Sequence, residues 1–146
     1  MPYKLPQLMN MSQAQLDDVF ANSPPGDIPD GEAEGTAIIA SGTQFSQEIA
    51  TVINLFAWQG KVFDAKAGQL KNKILPFGLN AIVAKVYRDK SLYDGKDCIV
   101  LDYSETSLVA HWIRDEIRLI GPGFYLGKVY WDKKPLIDFT LQFQTA

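Results

Sequence analysis

The chain has 146 residues, of which 47% are hydrophobic and 21% charged, and these values indicate one globular domain rather than a disordered chain. A formal net charge of −3 excludes the strongly basic surface of a general nucleic-acid binder, so we expect no nucleic-acid partner. With one cysteine and one histidine, the chain can form no intramolecular disulfide and no metal site built from several Cys or His side chains, and we expect no resident cofactor.

The start of the sequence shows no signal-peptide pattern, because Pro2, Lys4 and Pro6 interrupt its apolar positions. A run of about 18 apolar residues, which a transmembrane helix requires, is found nowhere in the sequence. We therefore expect a cytoplasmic protein without a membrane span.

Residues 12–21 are predicted to form a short helix. Ser12 and Gln15 have the spacing of a capping box, and the apolar residues after them recur at helical intervals. Residues 22–35 form an acidic segment rich in proline and glycine, which we expect to be an exposed arm or an extended segment that wraps around the domain. A short apolar piece at 36–40 suggests an edge strand.

Residues 44–57 are predicted to form the clearest helix of the chain. Their apolar positions recur at helical spacing and make one continuous stripe. The stripe consists of Phe45, Ile49, Val52, Ile53 and Phe56. We expect this helix to lie across the core or to close one end of a barrel.

After Gly60 the sequence changes to short β-type runs separated by turn signals about every 8–12 residues, which is typical of all-β folds. The predicted strands cover 61–64, 69–75, 79–88, 98–103, 108–120, 124–131 and 136–143. We therefore predict a mainly β protein of the α+β class, in which two N-terminal helices cover one end or edge of an antiparallel barrel or half-barrel. The single domain 1–146 would contain a helix and arm in 1–43, a helix in 44–57 and the barrel in 58–146.

Residues 108–120 fit either a helix or a strand. As a helix, the run would place His111, Asp115 and Arg118 together on one polar face. As a strand, it would place His111 and Asp115 on the inner face and Arg118 on the outer face, with 121–123 as a hairpin turn. The neighbouring strands and the short linker favour the strand, because consecutive elements of a meander pack side by side.

Two stretches, WQGKVFD at 58–64 and IRDEIRLIGPGFYLGKVYW at 113–131, resemble lipocalin-like (calycin) barrels. They are similar to uncharacterised bacterial proteins with a Gly-x-Trp-x-Gly motif and to plastid lipid-associated fibrillins, although the segment here, Ala57-Trp58-Gln59-Gly60, lacks the first glycine. In the resemblance, Asp115 and Arg118 lie on a hairpin whose returning strand carries Leu-Gly at 126–127. The resemblance implies a barrel fold and a tendency to bind apolar small molecules, and it implies no catalytic residue.

The predicted function is the reversible binding of a small hydrophobic molecule, such as a fatty acid or an isoprenoid, in a barrel cavity. Aromatic side chains would form the apolar walls, and a few polar groups would orient the ligand. The candidate ligand-binding residues are Trp58, Phe63, Tyr103, His111, Asp115, Tyr125 and Trp131. The oligomeric state is left open, with a homodimer as one option.

Two other functions stay open at this point. His111 and Asp115 are candidate acid–base groups for an isomerase, cyclase or hydrolase reaction on an apolar molecule, and His111 is also a candidate haem ligand. Plainer interpretations compete with both. His111 would be a half-exposed strand residue, and Asp115 would form an ion pair with an arginine on an adjacent strand.

Overall fold

The computed structural model of the protein is an eight-stranded antiparallel barrel in which each strand pairs with the next and the first pairs with the last. The structure describes residues 3–40, 47, 49, 61–74, 79–104 and 112–144, with side chains for all of these except 71–74 and 79–83. The helices are α1 (Leu5–Met9) and α2 (Gln13–Ala21). The strands are β1 (Gly31–Ile38), β2 (Lys61–Asp64), β3 (Gln69–Ile74), β4 (Leu79–Lys90), β5 (Asp97–Asp102), β6 (Ile113–Gly121), β7 (Phe124–Trp131) and β8 (Lys134–Phe143).

Strand β1 closes the barrel, and this corrects the prediction of an edge strand at 36–40. β1 starts at Gly31, within the segment expected to be irregular, and it pairs with β2 on one side and β8 on the other. The glycines that argued against regular structure are accepted because backbone pairing on both sides outweighs weak local propensity. The predicted mainly β class is confirmed, and the barrel is closed rather than half-open.

The run at 108–120 is a strand over its described part. β6 pairs with β5 and, through the Pro122–Gly123 turn, with β7. The next hairpin has a two-residue turn at Asp132 and Lys133, both with positive φ, which matches the right-handed twist of the flanking strands. These tight turns keep β6, β7 and β8 in register along the wall that carries most of the polar residues discussed below.

The wall of the barrel separates two apolar cores. One lines the interior and includes Ile49, which is helical and only 2% exposed. Gln47 is also described, and the rest of the helix predicted at 44–57 lies outside the described residues. The second core lies outside the wall, where α2 packs Leu16 and Phe20 against Leu126. The helices α1 and α2 therefore cover the outer face of the wall. Within the described ranges, no helix is long and apolar enough to cross a bilayer.

The acidic arm before β1 packs along the barrel, in agreement with the wrapping alternative. The backbone N–H of Leu119 donates to the carbonyl of Pro24, and Ile28 packs against the interior core. Gly26 has a φ of 72°, and a Cβ there would lie 2.7 Å from the Cβ of Leu119. A side chain at this position would therefore push the arm off the barrel.

Candidate functional site

Strand β6 alternates strictly between the two faces of the wall. Ile113, Asp115 and Ile117 face the interior, and the intervening residues face outward. Asp115 is 1% exposed, so the strand interpretation correctly placed this carboxylate inside. A carboxylate in an apolar interior requires a partner, because an unpaired buried charge is costly.

Asp115 belongs to a buried polar cluster with Lys61 and Tyr103. The ammonium of Lys61 lies 3.8 Å from Oδ2 of Asp115 and donates to the hydroxyl of Tyr103 at 3.0 Å. Lys61 begins β2, Tyr103 directly follows β5, and Asp115 is the third residue of β6. The three residues therefore meet near one end of the barrel, at which β5 ends and β2 and β6 begin; we call it the site end.

Burial shifts both charged members of this cluster towards their neutral forms. Desolvation lowers the pKa of Lys61 from 10.5 to about 8, and the charge of Asp115 opposes only part of this change. Desolvation likewise raises the pKa of Asp115 from 3.8 to about 6 against the opposing charge of Lys61. At neutral pH the two groups form an ion pair. Both pKa values lie close to neutrality, so that a small change in pH protonates Asp115 or deprotonates Lys61.

One acceptor of this cluster is left over. Oδ1 of Asp115 is buried and has no hydrogen-bond partner among the described residues. A buried unsatisfied acceptor is rare in folded proteins and often marks a functional position. Apolar side chains adjoin the cluster: the Lys61 ammonium lies 6.0 Å from the centre of the Phe139 ring, which packs so closely on Gly127 that a Cβ there would be 2.3 Å from it.

The other predicted ligand-binding residues are spread over the barrel. Phe63 and Tyr125 each form an edge-to-face contact with Phe143 and belong to the interior core, but the Tyr125 hydroxyl donates to the carbonyl of Asp27 in the arm, away from the site end. Trp131 packs against the interior core beside the start of β6. Trp58 and His111 lie outside the described residues, so their predicted roles remain predictions.

Lys61 was not among the predicted site residues, and the partner of Asp115 differs from the expected one. An arginine on an adjacent strand was expected, whereas the partner is a lysine on β2, which is not a neighbour of β6 in the sheet. The available signal was the alternation in β2, since Lys61 and Phe63 are two residues apart and share the inner face. Only closure of the barrel reveals that this face lies opposite Asp115.

The outer face of β6 carries a second polar cluster, centred on Arg118. Its guanidinium forms a bidentate pair with Asp94 at 2.8 Å and donates to the carbonyls of Phe20, Lys96 and Asp97. Nearby, the carboxylate of Glu116 accepts from Ser91, Leu92 and Arg114. This cluster ties α2 and the loop at 91–96 to the wall of the barrel.

Metal chemistry has no support in the described part of the chain, in which no group of three or more His, Cys, Asp or Glu side chains is placed to hold an ion. Cys98 is fully buried, as expected for a small apolar residue, and burial raises its thiol pKa to about 12. The thiol is therefore a poor nucleophile.

Comparison with known proteins gives a shared fold. No protein-family model matches the sequence, and no curated protein matches it significantly. A solved structure of a protein from Thermomonospora curvata superposes with a TM-score of 0.67 at 16% identity, over 93% of this chain and 90% of that chain. The coarse expectation from the resemblance holds: the protein is an eight-stranded antiparallel closed barrel of lipocalin-like shape.

Proposed function

We propose that this protein is a member of the lipocalin-like barrels and binds a small, largely apolar molecule, such as an isoprenoid or a fatty acid, inside the barrel. The observation that carries the proposal is the Lys61–Tyr103–Asp115 cluster, in which Oδ1 of Asp115 has no hydrogen-bond partner among the described residues, beside the apolar side chains of the interior core. Ligand pockets commonly combine apolar walls with a few polar groups that orient the ligand. This interior has both.

The apolar walls would supply most of the affinity. Side chains from every strand contribute to the interior core, including Leu70 of β3, Ile99 and Leu101 of β5, and Ile137 of β8. Each methylene group of a ligand that leaves water for such surroundings contributes about 0.8 kcal/mol. The polar cluster would then select and orient the head of the ligand.

The cost of the ion pair supports a binding role. Both pKa shifts have desolvation as their largest cause, which means that burial opposes the charged forms more strongly than their mutual attraction favours them. An apolar pair of the same volume would stabilise the barrel better. Buried charged groups with perturbed pKa values cluster at functional sites, which is why we assign a binding role to this pair.

The charge balance of the cluster indicates the chemistry of the ligand head. Lys61 and Asp115 cancel each other, so a carboxylate would bring an unbalanced charge into the interior. A hydroxyl would bring none, and it would donate to the free Oδ1 of Asp115. We therefore favour an alcohol, or a fatty acid bound in its neutral form, over an ionised fatty acid.

Mass spectrometry of the purified protein under native and then denaturing conditions tests the proposal first. A stoichiometric small molecule lost on denaturation would support it. Titration with farnesol and with dodecanoate, followed by tryptophan fluorescence, tests the head chemistry. Asp115→Asn should weaken farnesol binding by about tenfold, the loss expected for one hydrogen bond to a charged group.

Tyr125→Phe is the matched control, because it changes an interior hydroxyl that is bonded to the arm rather than to the cluster. Its farnesol affinity should equal that of the unchanged protein. Absence of a bound molecule together with absence of farnesol binding up to its solubility limit would contradict the proposal. Tighter binding of dodecanoate at neutral pH would leave interior binding in place and overturn the preference for a neutral head.

A second candidate function is acid–base catalysis on the bound molecule. Lys61 and Tyr103 are titratable groups in direct hydrogen-bond contact, and the pKa of Lys61 is lowered to about 8, close to the range of a useful catalyst. Catalysis would be supported if Lys61→Met stopped turnover of a bound isoprenoid while affinity changed less than about threefold. Haem binding through His111 stays a prediction, which a missing Soret band after reconstitution would contradict.

A further inference from the structure

A pocket lies on the outside of the wall, between α2, the loop at 91–93, and the β7–β8 hairpin. It has a volume of about 320 Å³, which is at the lower end of the range for small-molecule sites. Leu92 and Tyr93 form its rim and are 44% and 45% exposed, and Pro135 and Leu136 form a wall. The pocket is therefore open to solvent on one side and apolar along its sides.

The floor of this pocket is polar and buried. Lys128 and Asp138 are each 3% exposed and lie side by side on β7 and β8. The Lys128 ammonium donates to Asp17 of α2 and lies 3.4 Å from both carboxylate oxygens of Asp138. It also lies 5.1 Å from the centre of the Tyr93 ring, so its positive charge is already surrounded.

Two acceptors of the floor are poorly satisfied. The hydroxyl of Tyr130 is buried and has no hydrogen-bond partner among the described residues. The carboxylate of Asp138 has partners only at 3.3 to 3.4 Å, from Lys128 and Gln13, which is longer than a good hydrogen bond. The floor therefore has spare accepting capacity.

The charges of the floor do not cancel. Asp17 and Asp138 share the single ammonium of Lys128, which leaves one negative charge in excess, while Lys133 is exposed at the rim. The nearby carboxylate of Glu116 is satisfied by its own donors. A ligand that completes this floor would carry a positive charge and hydrogen-bond donors.

We propose that this outer pocket binds a small primary amine with an apolar body. The ammonium group of the ligand donates to the carboxylate of Asp138 on the side away from Lys128, with the Tyr130 hydroxyl as a further acceptor. The hydrocarbon part lies against Leu92 and Tyr93. This site is separate from the proposed interior function, because its residues face the opposite side of the wall from the Lys61–Tyr103–Asp115 cluster.

Three probes of similar size and different charge test the proposal: 2-phenylethylamine, 2-phenylethanol and phenylacetate. Each is titrated into the full chain at neutral pH and followed by amide chemical shifts in NMR spectra. The amine should bind about tenfold more tightly than the alcohol, and phenylacetate should bind weakest. The largest shifts should occur at Leu92, Tyr93, Lys128 and Asp138.

Two variants test the floor itself. Tyr130→Phe removes the unpartnered hydroxyl and keeps the ring, so the fold is retained, and amine binding should weaken by about fivefold. Asp138→Asn should weaken it by about tenfold and leave the alcohol unaffected. Tyr87→Phe, which removes a hydroxyl that donates to Asp102 and belongs to neither proposed site, is the control and should leave amine binding unchanged.

The proposal would be overturned by equal affinities for amine and alcohol, by tighter binding of phenylacetate, or by amine binding that both floor variants leave unchanged. The absence of shifts at the pocket residues up to about 10 mM amine would overturn it as well.

Discussion

The charged residues on the two faces of β6 differ in how completely their hydrogen-bonding groups are satisfied. On the outer face, Arg118 donates to three backbone carbonyls and one carboxylate, and Glu116 accepts from three different residues. On the inner face, Asp115 has Lys61 at 3.8 Å and one oxygen without a partner among the described residues. Glu116 thus belongs to a network whose hydrogen bonds are satisfied, whereas the adjacent Asp115 belongs to a cluster in which one acceptor is not.

The difference has a structural cause. In a closed barrel, the backbone N–H and C=O groups of the wall are used in the strand ladder, so a charged residue inside can be satisfied only by other side chains or by a ligand. Outside the wall, the C-terminus of α2, the loop at 91–96 and the start of β5 direct backbone carbonyls at Arg118. The outer cluster therefore stabilises the fold, and the inner cluster is the one to which we assign the proposed binding.

The largest loss of stability is expected for a substitution in the outer cluster. Arg118→Met should lower the free energy of unfolding by about 4 kcal/mol, because Asp94 and three carbonyls lose their donor. Urea denaturation measures the change. Arg88→Met, at an exposed arginine, is the control and should cost about 0.5 kcal/mol or less. A loss for Arg118→Met below about 1 kcal/mol would contradict a stabilising role of the outer cluster.

In the inner Lys61–Asp115 pair, replacing one member should lower stability, whereas replacing both should not. Lys61→Met alone should cost about 3 kcal/mol, because Asp115 remains buried without its cation. The double variant Lys61→Met with Asp115→Leu should be as stable as the unchanged protein or more stable, while farnesol binding is lost. Urea denaturation of both variants gives the comparison. A double variant less stable than either single variant would show that the pair serves stability.

The pH dependence of stability sharpens the comparison. The pKa of Asp115 rises from 3.8 to about 6 on folding, so between these values the folded protein holds a proton that the unfolded chain has lost. Stability from this group is therefore present at low pH and is lost as the pH rises through about 6. Relative to the unchanged protein, Asp115→Asn should gain about 2 kcal/mol between pH 4 and pH 7.

Asp138→Asn is the matched variant on the outer face, because burial also raises the pKa of Asp138 to about 6. Urea denaturation at several pH values should show that both variants gain stability relative to the unchanged protein as the pH rises. A relative stability of Asp115→Asn that does not change with pH would contradict the burial of an ionised carboxylate in the interior.

The smallest expected effect concerns the helix that covers the outer face. Ser12 and Gln15 form the capping box of α2 through reciprocal hydrogen bonds of 3.2 and 2.9 Å. Ser12→Ala should lower stability by about 1 kcal/mol without changing farnesol affinity, and Ser12→Asn should restore most of the loss. Thermal denaturation measures both. A change in farnesol affinity in Ser12→Ala would show that the two faces are coupled.

Much of the fold was predictable because the local signals are strong. The capping box at Ser12, the tight turns after β6 and β7, and the alternation in β8 specify elements on their own, whereas β6 was recognised as a strand only from its neighbours. β1 was predicted too short, since its glycines point locally to irregular structure and only pairing with β2 and β8 overrides them.

The sequence by itself determined which residues of β6 share a face, because side chains on a strand alternate whatever surrounds them. It placed Asp115 inside and Arg118 outside for this reason. Only the tertiary structure decided what each residue meets. Closure of the barrel brings Lys61 from β2 to Asp115, and docking of α2 brings the carbonyl of Phe20 to Arg118. These partners are far apart in the sequence, so no local pattern predicts the contacts.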